Sequence, residues 1–198
     1  IMKLKILIIL FLAIIIIILT IVFLNKQPIV PETEEFPVLK LKWDYKLNEK
    51  TVKGLGVFGV MENLERPEIA TELEIVTKTY HDSIYAMADG IVEEIQKSEK
   101  PIEEGEVEGI WIKYGKNAIL KYVHVYNPTI KEGDIIKTGD KIGHTLKIDD
   151  NTGFFEVEMR ISENNKVYAV PVYEYCDNEC KSILLPLFKN SRINSYKT

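Results

Sequence analysis

Histidine and cysteine are scarce in this sequence, at three and two among 198 residues. Cys176 and Cys180, in CDNEC, cannot complete a zinc site by themselves, and no histidine lies near them in sequence. Basic charge is also in deficit, with 25 Lys and Arg against 30 Asp and Glu. Without Lys3, Lys5 and Lys26, 22 basic and 30 acidic residues remain, a balance of −8. That excess argues against nucleic acid as a partner. Helical periodicity is missing too. After residue 26 only the tail beyond Cys180 offers it, so a helix bundle is excluded.

One long apolar run is present. Residues 6–24, ILIILFLAIIIIILTIVFL, carry no charge, and Thr20 is their only polar side chain. A helix of that length spans roughly 30 Å, the hydrocarbon core of a bilayer. A signal peptide is the rival reading, but Phe23-Leu24-Asn25-Lys26 offers no small-residue cleavage site. An uncleaved anchor is expected over 1–26. Lys3 and Lys5 precede the span, and Glu32, Glu34 and Glu35 follow Lys26. The N-terminus is therefore expected in the cytoplasm and the remainder outside. Residues 27–37, QPIVPETEEFP, read as an acidic, proline-punctuated linker. One domain is expected over 38–175, followed by a tail at 176–198 whose apolar run is interrupted by Pro186.

The domain reads as β almost throughout. The runs 38–45, 109–115, 118–126 and 153–161 alternate or are rich in β-branched and aromatic residues. Turn signals separate them at Gly90, Gly105, Gly115, Asn127-Pro128, Gly133-Asp134 and Gly139-Asp140. The fold class is therefore all-β, a barrel or sandwich. In TGFFEVEMR a strand places Phe154, Glu156, Glu158 and Arg160 on one face and Phe155, Val157 and Met159 on the other. The second face is core, and the first needs another use.

Two segments are more particular. IYAMADGIVEEI at 84–95 is strand, Asp89-Gly90 turn, strand; IKEGDIIKTGDKIGH at 130–144 holds two Gly-Asp turns around an Ile-Ile step. Glycine supplies positive φ at such corners, and the aspartate can bond the local backbone. Together and in this order they resemble the half-motifs of the barrel-sandwich hybrid fold. That fold is shared by lipoyl and biotinyl carriers, membrane-fusion adaptors and the LytM-like (M23) zinc endopeptidases. A carrier needs an exposed lysine where Thr79 stands, one position from Lys78. A fusion adaptor inserts a long heptad hairpin where Val92 to Thr129 is strand-like. The chain is most similar to the LytM pattern: Ile84-Tyr85-Ala86, Asp89 to Val92, Tyr122-Val123-His124-Val125, Ile130 to Gly143 and Val170-Pro171-Val172-Tyr173 follow its outline.

That resemblance gives the unexplained face a meaning. FFEVEMR stands where the family has H-L-H-F-E-I, so Phe154 replaces a histidine that assists catalysis and Glu156 one that binds zinc. The upstream H-x-x-x-D pair falls on Thr71 and Ile75, with Glu72 and Glu74 nearby. Of the family's functional residues only His124 survives, a vestigial catalytic position. The resemblance thus implies an inactive, membrane-anchored domain with no cofactor, acting in binding, scaffolding or regulation beside a cell-envelope protein or cell-wall partner. An active zinc endopeptidase with divergent ligands is the alternative, for which Glu156 is the candidate ligand, and a transport adaptor is a third.

Other residues read as structural. His81-Asp82 sits at a turn beside the fold, His144 reads as surface, and Glu103, Glu104 and Glu106 around Gly105 read as a solvated hairpin tip. If the domain lies outside, a Cys176–Cys180 disulfide is the better expectation, closing a small local loop.

Overall fold

The computed structural model describes residues 13–17, 52–55, 72–163 and 166–190. Residues 13–17 are helical. The rest of the 6–24 span, the linker 27–37, the strand expected at 38–45, Thr71 and residues 191–198 lie outside the described residues. Among those described, no helix is long and apolar enough to cross a membrane.

The domain is mostly β: the described residues form ten antiparallel strands in one curled sheet. They are β1 (Val52–Leu55), β2 (Glu72–Thr77), β3 (Ser83–Tyr85), β4 (Gly90–Lys97), β5 (Glu106–Tyr114), β6 (Ala118–Tyr126), β7 (Ile135–Ile136), β8 (Lys141–Asp149), β9 (Thr152–Glu163) and β10 (Lys166–Val170). The twelve-residue β9 is the spine. One of its edges carries β2 along 153–158 and β10 along 159–163. The other carries β8 at 152–154 and β6 at 156–161. A strand with four partners cannot lie in a flat sheet, so the sheet bends around it.

Alternation makes the core. Leu73 and Ile75 of β2, Ile110 and Ile112 of β5, Leu120 and Tyr122 of β6, and Val157 and Met159 of β9 turn inward together. Each such aliphatic side chain contributes roughly 1.5–3 kcal/mol of burial. Tyr122 is fully buried, and its hydroxyl accepts a hydrogen bond from Met87 N at 2.7 Å. Burial pushes its phenol pKa up, against a smaller lowering by that bond.

The two Gly-Asp turns behave as their composition implies. Lys131 N donates to Asp134 Oδ2 and Lys137 N to Asp140 Oδ2, each carboxylate closing its own turn. Asp89 does not bond locally. Its carboxylate reaches across to Thr138, accepting from the backbone N at 2.7 Å and from Oγ1 at 2.9 Å, and pairs with Lys137 Nζ at 3.0 Å. Partial burial raises its pKa, but these bonds outweigh that and hold it below the usual carboxylate range. Asp89 therefore fastens one half-motif to the other.

Beyond β10 a 3-10 turn (Val172–Tyr175) leads into a helix, Asn178–Asn190. Pro186 lies inside that helix rather than ending it. Asp177 Oδ1 accepts from Cys180 N at the helix start, as an N-cap side chain does. Cys176 and Cys180 are bonded, with Cα atoms 5.4 Å apart, and both belong to the core cluster together with Leu184.

Candidate functional site

The outward face of β9 is built by cross-strand pairs. Glu74 stands opposite Glu156 and Val76 opposite Phe154 on the β2 side. On the β6 side, Val123 stands opposite Glu156 and Lys121 opposite Glu158. Glu158 is not solvated, being 3% exposed, and it pairs with Arg160 at 2.8 Å. Lys121 Nζ and Arg160 Cζ each stand 5.0 Å from the centre of the Trp111 ring. Such cation–π contacts contribute about 0.5–1 kcal/mol at a surface. This end of the face is neutralised and held together by its own charges.

The other end gathers all three histidines. In β6 the buried phase switches at Tyr122-Val123, both of which are buried. The switch coincides with a left-handed residue, His124 at φ +57°. A non-glycine residue in that region is held there by its surroundings. His124 is half-buried; its ring lies 5.2 Å from that of Phe154, and its Nδ1 is 2.9 Å from Glu106 Oε1. His81, also left-handed at φ +58°, stacks on Tyr126 at 4.1 Å, and its Nε2 is 3.0 Å from both oxygens of Glu103.

Two readings made from sequence need correction here. The tip around Gly105 is not merely solvated. Glu106 is buried and accepts from Ile102 N as well as meeting His124, and Glu103 meets His81. A buried carboxylate without such donors would cost several kcal/mol, so the histidines and the turn belong together. Nor is His144 simply surface: it is half-buried, edge-on to Tyr126 at 6.4 Å, with Nδ1 buried and unpartnered. Burial, and after it the charge of Lys141, holds its imidazole below the usual histidine range. His81 does sit at a turn, before β3, yet its ring joins this cluster.

Zinc chemistry on this fold needs three protein ligands around an open position. The residues present do not fit it. Ile75 is 1% exposed on the core face, opposite Phe155, and has no donor atom. Phe154, which the resemblance aligns with a histidine, presents a hydrocarbon ring towards His124. Among the described residues no group of three or more His, Cys, Asp or Glu could hold a metal ion. Thr71, the remaining upstream position, lies outside the described residues.

Comparison with known proteins places this geometry in a family. A sequence profile described as "Peptidase family M23" matches residues 71–169. Among solved structures, the antimicrobial peptidase lysostaphin from Staphylococcus simulans aligns at TM-score 0.52 and 15% identity, over 82% of this chain and 60% of its own length. LytU aligns at TM-score 0.50 and 18% identity, over 68% of this chain and 89% of its own. The catalytic domain of the prophage-encoded M23 protein EnpA from Enterococcus faecalis aligns at 22% identity and TM-score 0.46, over 58% and 86%. Among curated proteins none matches. At these identities the likeness to solved structures is one of fold.

Proposed function

The chain belongs to peptidase family M23, and from that membership we propose a membrane-anchored member whose domain binds peptide in the cell envelope without cutting it. The domain lies outside the membrane, behind the span at 6–24, and acts in scaffolding or regulation of envelope machinery. One observation supports this reading: Phe154 and Ile75, which the resemblance puts at two of the family's working positions, carry side chains that neither bind a metal nor move a proton. The curled sheet and its outward face are kept. A sheet face that keeps its strands and loses its reactive groups can still hold extended peptide.

The test is metal content and cleavage. The full chain, solubilised in detergent and exposed to zinc, is expected to retain less than stoichiometric metal and to leave a glycine-rich peptide cross-bridge uncut. A Phe154→His, Glu156→His double change is expected to restore nothing, because Ile75 still lacks a ligand atom. Stoichiometric zinc with cleavage abolished by His124→Ala would sink the proposal in favour of an active endopeptidase.

Topology is checked separately. Protease added to spheroplasts is expected to digest an epitope placed after Thr198 and to spare one at the N-terminus. The Cys176–Cys180 peptide from the same material should be lighter than the dithiol by one pair of hydrogens. The reverse digestion pattern would put the domain in the cytoplasm.

A further inference from the structure

We propose that Glu106 is a positioning residue: it fixes the tautomer of His124 so that the imidazole meets a bound peptide as a hydrogen-bond acceptor. The inference rests on the reading that this face holds peptide. The geometry at Glu106 carries it. One carboxylate oxygen accepts from Ile102 N, and the other lies 2.9 Å from His124 Nδ1. A carboxylate only accepts, so Nδ1 must carry the proton, and in the neutral ring Nε2 is left with a lone pair. The Glu106 side chain is 2% exposed, whereas that of His124 keeps 31%, so the orienting group is sealed and the imidazole still reaches solvent. His124 is also held at φ +57°, a conformation the surroundings must impose. The second pair follows the same rule in mirror sense: Glu103 takes the proton side of His81 Nε2, so in the neutral ring the lone pair falls on Nδ1. Both carboxylates come from one turn, in which Glu106 N donates to Glu103 O. Extended peptide presents backbone N–H donors, and an imidazole locked with Nε2 unprotonated suits one of them.

The substitution Glu106→Gln separates positioning from packing. Ile102 N still needs an acceptor, so the glutamine oxygen faces it and the amide NH2 faces His124 Nδ1. Nδ1 must then accept, and the proton moves to Nε2. Nitrogen-15 NMR of the imidazoles, on the full chain in detergent micelles, is expected to show His124 protonated at Nδ1 in the wild type and at Nε2 in Glu106→Gln. His81 should stay unchanged and so report that the turn is folded. Pentaglycine should shift the wild-type Nε2 signal and bind Glu106→Gln about tenfold more weakly. A wild-type His124 protonated at Nε2, or a tautomer unmoved by the substitution, overturns the positioning role. Tautomers as expected with no response to pentaglycine overturn the acceptor role and the peptide-binding reading beneath it, a distinguishable failure.

Discussion

Gly153→Ala is expected to destabilise the domain by about 3 kcal/mol, a fall in melting temperature of roughly 10 °C. The argument is one of space. A Cβ on Gly153 would run into Thr145 Oγ1 and the backbone oxygen of Thr79, and would come within 2.5 Å of Thr77 Oγ1. None of the three is free to leave. Thr77 Oγ1 donates to Thr79 O at 2.6 Å, and Thr145 Oγ1 accepts from Asp82 N at 3.0 Å. Thr77 and Thr145 are both buried, so displacing them also breaks hydrogen bonds with no water to replace them. Gly133→Ala provides the contrast. It has φ +84° but nothing within 4 Å of the added methyl, so only backbone strain of about 1 kcal/mol is expected. Thermal unfolding of both variants decides it. Equal losses would mean that the threonines do not close over Gly153 as described.

Gly153 also marks how far the sequence can be read. TGFFEVEMR announces a strand through its alternation, and the two faces named from it are the two faces found. The Gly-Asp turns were equally legible, because a turn aspartate that bonds its own backbone needs only its neighbours. What alternation cannot reveal is partnership across the sheet. Glu103 and His81 are 22 residues apart, and Glu106 and His124 are 18 apart. Nothing local in EEGE separates a solvated tip from a turn that feeds two carboxylates to two imidazoles. The phase switch at Tyr122-Val123 is hidden for a related reason. Aromatic and β-branched residues suit either side of a strand, so the slip that turns His124 outward leaves no gap in the pattern. Asp89 reads like its turn-closing relatives, yet it spends its oxygens on Thr138, a choice made by the packing of two half-motifs.

The C-terminal segment is the place where a boundary drawn from sequence meets the core, and it yields the second large effect. Leu184→Ala is expected to cost about 3 kcal/mol, whereas Leu185→Ala should cost less than about 0.5 kcal/mol. The two leucines are neighbours in the helix Asn178–Asn190 and differ only in direction. Leu184 is fully buried and Leu185 is 45% exposed. Cys180 and Leu184 stand four residues apart on one row of that helix, Cys176 is bonded to Cys180 from just before it, and all three join the core cluster with Val172. Truncating Leu184 therefore opens a cavity in the core itself, and neighbours tied down by the Cys176–Cys180 bond have little freedom to fill it. A chain ending at Tyr175 would lose that whole row, so residues 176–190 belong to the domain's stability even though alternation stops before them. Denaturant unfolding of the two single variants tests this directly, since a shifted midpoint at unchanged slope reports stability alone. If Leu184→Ala unfolded at the same concentration as Leu185→Ala, the helix would not be docked on the sheet, and the core would have to close at β10 by itself.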